Sequence, residues 1–172
     1  MENIKQLKVT LEFVKVSEKE ILRNLLEKYE YEFSQYTGDA FNELGLFGYN
    51  YLDYYWVEEN RWPYFIKIND KLAGFVLVND YSLEGTSTDF TLSEFFVAYP
   101  YRGKGVAEIA TRKIFENHVG TWGLLYHPDN VRAKKFWHKV VGDLTDGNYE
   151  QYASEEACYS NAPGQVLLFE SK

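Results

Sequence analysis

The sequence contains one cysteine, Cys158, and four prolines in 172 residues. A single thiol excludes a disulfide framework and a cysteine-based zinc site, and it suits a reducing compartment. Long apolar runs are missing too, since none approaches the ~18 residues of a membrane span. The opening segment, MENIKQLKVTLEF, alternates charge and apolarity and has no secretory core. Basic charge is scarce. Eighteen Lys and Arg stand against 26 Asp and Glu, a net charge of −8, and an acidic chain is a poor partner for nucleic acid. The expectation is a soluble cytoplasmic protein with no metal, membrane or nucleic-acid partner.

What is present is a globular composition, 45% apolar and 26% charged, which is too apolar for a disordered chain. A chain of this length buries roughly 70% of its unfolded surface, so one domain over residues 1–172 needs no covalent staple. Charge is segregated along it. Residues 101–139 carry eight Lys/Arg and three acids, whereas residues 17–60 carry ten acids and three bases. The first stretch suits a polyanionic small ligand and the second a cationic partner. Two solvated helix faces of opposite sign have the same composition.

Hydrophobic periodicity sets the element order. Residues 7–16 alternate as a strand. Ser17 with Glu20 reads as a capping box before a helix whose apolar face is Leu22, Leu25, Leu26, Tyr29 and Phe33. Residues 36–62 are irregular and aromatic, with one short helix near 51–57. Strands follow at 64–68 and 72–78, joined through Asn69, Asp70 and Lys71, and another runs over 92–97. A helix then starts at Gly103-Lys104-Gly105, with Val106, Ile109, Ala110 and Ile114 on one face. After a strand at 121–126, His127-Pro128-Asp129-Asn130 forms a turn whose Asn130 caps a helix bearing Ala133, Phe136, Trp137, Val140 and Val141. Two strands, 149–154 and 165–169, end the chain. The fold class is α/β (α+β), a mixed sheet of six to seven strands flanked by about four helices.

Chemistry concentrates where Phe95-Phe96-Val97 runs into Tyr101-Arg102-Gly103-Lys104-Gly105-Val106-Ala107. A strand ends, a basic glycine turn follows, and a helix begins. Unpaired amides and the helix dipole at such a start hold phosphate, and small residues let the oxygens approach the backbone. Arg102 and Lys104 add full charges. A plain basic loop has the same residues. Walker A fails here because Gly105, not Ser or Thr, follows Lys104. The dinucleotide fingerprint fails for want of a third glycine.

The pattern that matches is Arg/Gln-x-x-Gly-x-Gly/Ala, through Arg102, Gly105 and Ala107. Downstream, Asn130-x-x-Ala133-x-x-Phe136-Trp137-x-Lys139 is similar to an Asn-x-x-Ala-x-x-Phe-Tyr-x-Lys helix. Together, and in this order, the two motifs resemble the GNAT superfamily of N-acetyltransferases, over residues 69–142. The resemblance implies splayed fourth and fifth strands and acetyl-CoA as donor. It implies that the loop of Arg102, Gly103, Lys104, Gly105, Val106 and Ala107 grips the pyrophosphate through backbone amides. The main chain of Phe96 and Val97 would then pair with the pantetheine arm, and Asn130, Ala133, Phe136 and Trp137 would lie on its other side. A homodimer through the C-terminal strands is common in such folds.

The implied reaction is attack of an amine on the thioester, with an amide such as that of Val97 facing the developing oxyanion. Glu94 is the candidate base, a strand carboxylate beside Phe95 and Phe96, although an ordinary solvent-facing residue would fit the pattern too. Trp137 departs from the family, because an indole N–H is not an acid. Tyr126 and His127 are the candidates to replace the missing tyrosine. His118 and His138 are expected at a helix end and on the surface, and Cys158 is expected to pack. Residues 29–64 hold eight tyrosines, Trp56, Trp62, Glu43, Asp53, Glu58 and Glu59, a composition suited to a cationic amine. The acceptor classes are a polyamine, an amino sugar or an amino acid derivative, with a protein lysine or N-terminus as the alternative. A non-catalytic acyl-CoA-binding or sensing module is the rival class.

Overall fold

A computed structural model of the chain describes residues 7–83, 85–155 and 159–172; Cys158 lies outside them. Seven strands form one sheet: β1 (Val9–Phe13), β2 (Arg61–Ile68), β3 (Lys71–Asn79), β4 (Phe90–Val97), β5 (Gly120–Tyr126), β6 (Glu150–Ala153) and β7 (Gln165–Ser171). Their order across the sheet is β1-β2-β3-β4-β5-β7-β6. Every pairing is antiparallel except β4 with β5. Three α-helices cover the faces: α1 (Lys19–Thr37), α2 (Val106–Asn117) and α3 (Val131–Thr145). The expected fourth helix is a single 3-10 turn, Leu52–Trp56.

Side-chain alternation divides the core. On one face Phe65, Phe75, Leu77 and Phe96 pack with Leu22 and Leu26 of α1. On the other, Ile66, Val76, Val78 and Val97 pack with Ile114, Phe115, Trp137 and Val141 of α2 and α3. Adjacent residues of β3 serve opposite layers, which is why its sequence is apolar without interruption. The β2–β3 turn is shorter than expected. Asn69 and Asp70 carry φ of 48° and 64°, a two-residue hairpin loop, and Lys71 already pairs with Ile68. The start of α1 also differs. The Glu18 carboxylate accepts from Lys15 N at 3.0 Å, whereas Glu20 faces Arg23, so Ser17 and Glu20 form no capping box.

The feature that positions the site is a wedge. β4 and β5 pair only over Phe90–Leu92 and Trp122–Leu124. Asp89 pins the narrow end, its Oδ2 accepting from Thr121 N at 2.8 Å while its own amide donates to Thr121 Oγ1 at 2.9 Å. Beyond Leu92 the register of β4 slips, so that Val78 faces Leu92 and Leu77 faces Glu94. Ser93 is the extra residue of a bulge. Tyr126 meanwhile pairs away from β4, with Gln165. Among the described residues no helix is long and apolar enough to cross a membrane, and no cluster of His, Cys, Asp and Glu fit to hold a metal is found.

Candidate active site

The wedge opens into a cleft of about 630 Å³, whose walls are β4, the β4–α2 turn, the start of α3 and the second half of α1. Its α2 end is made of backbone. Gly103 and Gly105 hold φ of 71° and 76° with open space around the missing Cβ, so conformation rather than crowding calls for glycine. The first amides of α2, at Val106, Ala107 and Glu108, have no intrahelical acceptor. Asn130 caps α3, its Oδ1 accepting from Ala133 N at 3.0 Å. Arg132, Ala133, Phe136 and Trp137 line the same end.

Strand parity decides which main-chain groups of β4 face the wedge. Ala98 N donates to Ala73 O at 2.8 Å, and the Phe96 carbonyl lies against Gly74, where a Cβ would stand 1.9 Å from its oxygen. Phe96 therefore spends its main chain on β3, and the N–H groups of Phe95 and Val97 turn toward the cleft. The sequence expectation named Phe96 with Val97. Neighbouring residues of a strand cannot serve the same edge, so Phe96 contributes its ring and Phe95 takes its place. The sequence signal for this close approach is Gly74, a glycine inside a strand.

The two basic residues of the turn do not point free charges at the cleft. Lys104 Nζ donates to Pro100 O at 2.7 Å and is not among the lining residues. Arg102 lines the cleft, but its guanidinium is engaged with Glu32 of α1 at 2.6 Å. Lys139 is paired with Glu108 at 2.8 Å, tying α3 to α2.

The α1 end is acidic. Glu94, half-buried, projects to the α1 side and accepts from the Tyr49 hydroxyl at 3.2 Å. Burial pushes its carboxyl up to about 7, against hydrogen bonds from Tyr29 and Tyr49 and with the Glu30 charge adding to the rise. Glu30 is itself raised to about 6, first by burial and then by Asp39 and Glu27. Glu30, Glu32 and Asp39 line the cleft beside Glu94. The acids singled out in the sequence lie elsewhere: Asp53 pairs with Lys19, Glu58 with Arg61, and neither Glu43 nor Glu59 lines the cleft. Trp56 donates to Val14 O, and Trp62 packs on Phe90 and His118. The loop after α1 is held by Glu27, whose carboxylate accepts from Phe47 N and Gly48 N at 2.8 Å each.

The two candidates for the missing acid diverge. Tyr126 lines the cleft, but its hydroxyl sits 2.9 Å from His138 Nε2, and His138 Nδ1 is 2.8 Å from the Tyr149 hydroxyl. His127 is fully buried outside the lining. Asp129 N donates to its Nδ1 at 3.1 Å, which leaves Nε2 to donate to Asn161 Oδ1 at 3.0 Å. Both ring nitrogens are spent. Asn161 belongs to a segment before β7 that the sequence did not reveal as part of the site: Tyr159 and Ser160 line the cleft, and Asn161 Nδ2 donates to Tyr36 O at 2.7 Å. His118 stands at the end of α2, as expected, but not on the surface. It is buried among Trp62, Tyr64, Phe90 and Trp122, its Nε2 lying 2.8 Å from the Tyr64 hydroxyl.

Unfilled helix amides beside an unpaired strand edge suit a diphosphate followed by an amide-bearing arm. No curated protein matches the chain. Among solved structures, an acetyltransferase from Thermus thermophilus superposes with a TM-score of 0.68 at 13% identity, over 95% of this chain and 97% of that one. Spermidine N-acetyltransferase from Vibrio cholerae, in complex with CoA and spermine, gives 0.63 at 12% identity over 95% of each chain. Arabidopsis thaliana Naa50, with the bisubstrate analogue CoA-Ac-MVNAL, gives 0.60 at 17% identity over 94% of this chain and 98% of that one. At these identities the likeness is one of fold. The model of the acetyltransferase (GNAT) family matches residues 19–142, well over half the sequence, and the chain therefore belongs to that family of acyltransferases.

Proposed function

We propose that the chain moves the acetyl group of acetyl-CoA directly to a primary amine of a cationic small molecule: a polyamine, an amino sugar or an amino acid derivative. The observation that carries this reading is Glu94. Its carboxyl, raised to about 7, stands on the part of β4 that β5 does not pair, three residues from Val97, and such a group is matched to taking a proton from an ammonium near neutral pH. The acids Glu30 and Asp39 along the same wall favour a cation. The CoA diphosphate would rest on the amides at the start of α2, and the pantetheine arm would pair with β4 at Val97.

In the reaction, Glu94 removes the amine proton, directly or through a water. The nitrogen lone pair forms the N–C bond, and the carbonyl oxygen gathers charge facing the Val97 N–H. The C–S bond then breaks and its electrons leave on sulfur, and the nitrogen, still carrying the second proton of the original ammonium, releases it to that thiolate or to water as the amide forms. Trp137 can donate a hydrogen bond to that thiolate but no proton, so the sulfur departs without an acid from that position.

The test is thiol release from acetyl-CoA across a panel of monoamines, polyamines, amino sugars, amino acid amides and peptides, with melting temperature followed alongside. Stabilisation by acetyl-CoA with thiol release on cationic small amines is the expected result. Release on peptides alone would move the acceptor to a protein lysine or N-terminus. Stabilisation with no release on any amine would favour the sensing module, and no stabilisation would remove the donor assignment.

A further inference from the structure

Arg102 opens the loop motif, yet three of its five N–H groups are taken within the protein. Its Nε donates to Val97 O at 2.5 Å, and its terminal nitrogens fork onto the two oxygens of Glu32 at 2.6 Å each. The guanidinium lies over the Tyr99 ring at 4.2 Å and near the Phe96 ring at 5.6 Å. The Arg102 and Glu32 side chains are only 16% and 25% exposed. A shielded two-point fork of this kind fixes orientation as well as distance, and lysine cannot reproduce it.

What the fork holds is the part of α1 with the least other anchorage. The buried residues of α1 are Leu22 and Leu26, both in its first half. The half that lines the cleft, residues 29–37, is held by half-buried rings, Tyr29 against Phe75 and Phe96 and both Phe33 and Tyr36 against His127, and by polar ties: the Glu32 fork, Asn161 Nδ2 on Tyr36 O, and Ser160 Oγ on Thr37 O at 3.3 Å. A segment whose anchors are only half-buried opens locally at lower cost than the first half of the helix, with its buried Leu22 and Leu26, so a single strong tie has leverage there. The other arm of Arg102 reaches Val97 O, the residue whose N–H faces the reacting carbonyl in the proposed transfer.

We propose that Arg102 and Glu32 form a strut that sets the acceptor-side half of α1 against the end of β4, and that Arg102 positions the site instead of binding phosphate. Glu32 is the specificity-determining partner, because it fixes where Tyr29, Glu30 and Phe33 stand relative to Glu94. The kinetic part of the test rests on the proposed acetyl transfer and the titration on the donor being CoA; the exchange measurement rests on neither and decides the strut by itself.

Glu32→Gln, Arg102→Lys and the double variant are compared with the unaltered protein in three ways. These are CoA titration, amide hydrogen exchange across residues 29–37, and donor and acceptor kinetics with whichever amine supports thiol release. The strut predicts exchange about tenfold faster in both single variants and CoA affinity within about twofold. It predicts an amine KM raised about tenfold with the donor KM unchanged, and a double variant no worse than the worse single one. A phosphate ligand predicts the reverse: Arg102→Lys weakens CoA tenfold or more, while Glu32→Gln frees the guanidinium and tightens it. That pattern, or unchanged exchange in both single variants, overturns the strut. If no amine supports release, the transfer reading fails, and exchange still decides the strut.

Discussion

The two ends of the cleft are built from different materials. The α2 end offers main-chain amides, held by two glycines in a left-handed conformation and by a helix start. The α1 end offers side chains, namely the carboxylates of Glu30, Glu32, Asp39 and Glu94 and the rings of Tyr29, Phe33 and Tyr36. A backbone site is set by conformation and can vary little in sequence, because few residues adopt positive φ. A side-chain site can be assembled from any elements that converge. One end is therefore constrained by backbone conformation, and the other by which side chains happen to converge.

The comparison breaks most sharply at Glu94. Glu94→Gln should lower turnover by at least about a hundredfold, the scale of a lost general base, and leave CoA affinity nearly unchanged. The pH profile supplies the sign. A base must be ionised to act, so turnover should rise with pH through about 7 and that limb should vanish in the variant. The reciprocal change is Gly105→Asp, which puts a strained residue at φ 76° and a negative charge at the start of α2. CoA affinity should fall about tenfold or more, as read by titration, while the pH limb of the remaining activity keeps its position. A variant that shifted the limb but kept CoA binding would mean that the two ends are not separable.

The same contrast decided what was legible in the sequence. Gly103, Gly105, Ala107 and Asn130 were readable because each answers a local demand: a positive φ, a close approach or a cap. The pairing of Arg102 was not, since its partner Glu32 lies 70 positions away. The pairing of Val97, and not Phe96, with the cleft depends on parity across β3, which Gly74 and Ala73 set. No spacing within β4 reveals it. Glu43, Asp53, Glu58 and Glu59 stand out by composition within residues 29–64, whereas Glu30 and Glu32, which line the cleft, sit on the flanks of a helix identified by its apolar face. The strands fell out of periodicity with small errors at the ends. The short helix near 51–57 shrank to one 3-10 turn because Leu52 and Tyr55 are its only buried residues, too few to support an α-helical stripe.

A smaller effect sharpens the acidic end. Glu30 adds to the rise of the Glu94 carboxyl through its charge. Glu30→Gln should therefore move the limb of the pH profile to lower pH and raise the amine KM, more for a diamine than for a monoamine of equal length, by a few-fold in a screened cleft. Equal changes for both amines would leave Glu30 as a modulator of Glu94 with no part in recognising the acceptor.

The smallest effect lies outside the cleft and tests whether its chemistry can be separated from folding. Burial holds the His118 imidazole below its ordinary value, so the unfolded chain takes up this proton first as pH falls. The neutral ring's contribution is complete above the unfolded value, about 6.5, and declines as pH drops below it. Glu94 and Glu30 act in the opposite sense. Their raised carboxyls favour the folded state at low pH, and that contribution is lost as pH rises through about 7 and about 6. The two trends overlap, so a single melting curve against pH cannot separate them. Comparing the unaltered protein with His118→Phe between pH 8 and 5 does, because the carboxyls are common to both. The variant, which also loses the contact with the Tyr64 hydroxyl, should be less stable at pH 8, and the gap should narrow toward pH 5. A constant gap would mean that His118 takes up its proton equally in the folded and unfolded chains, and that its worth lies wholly in packing and the tyrosine contact.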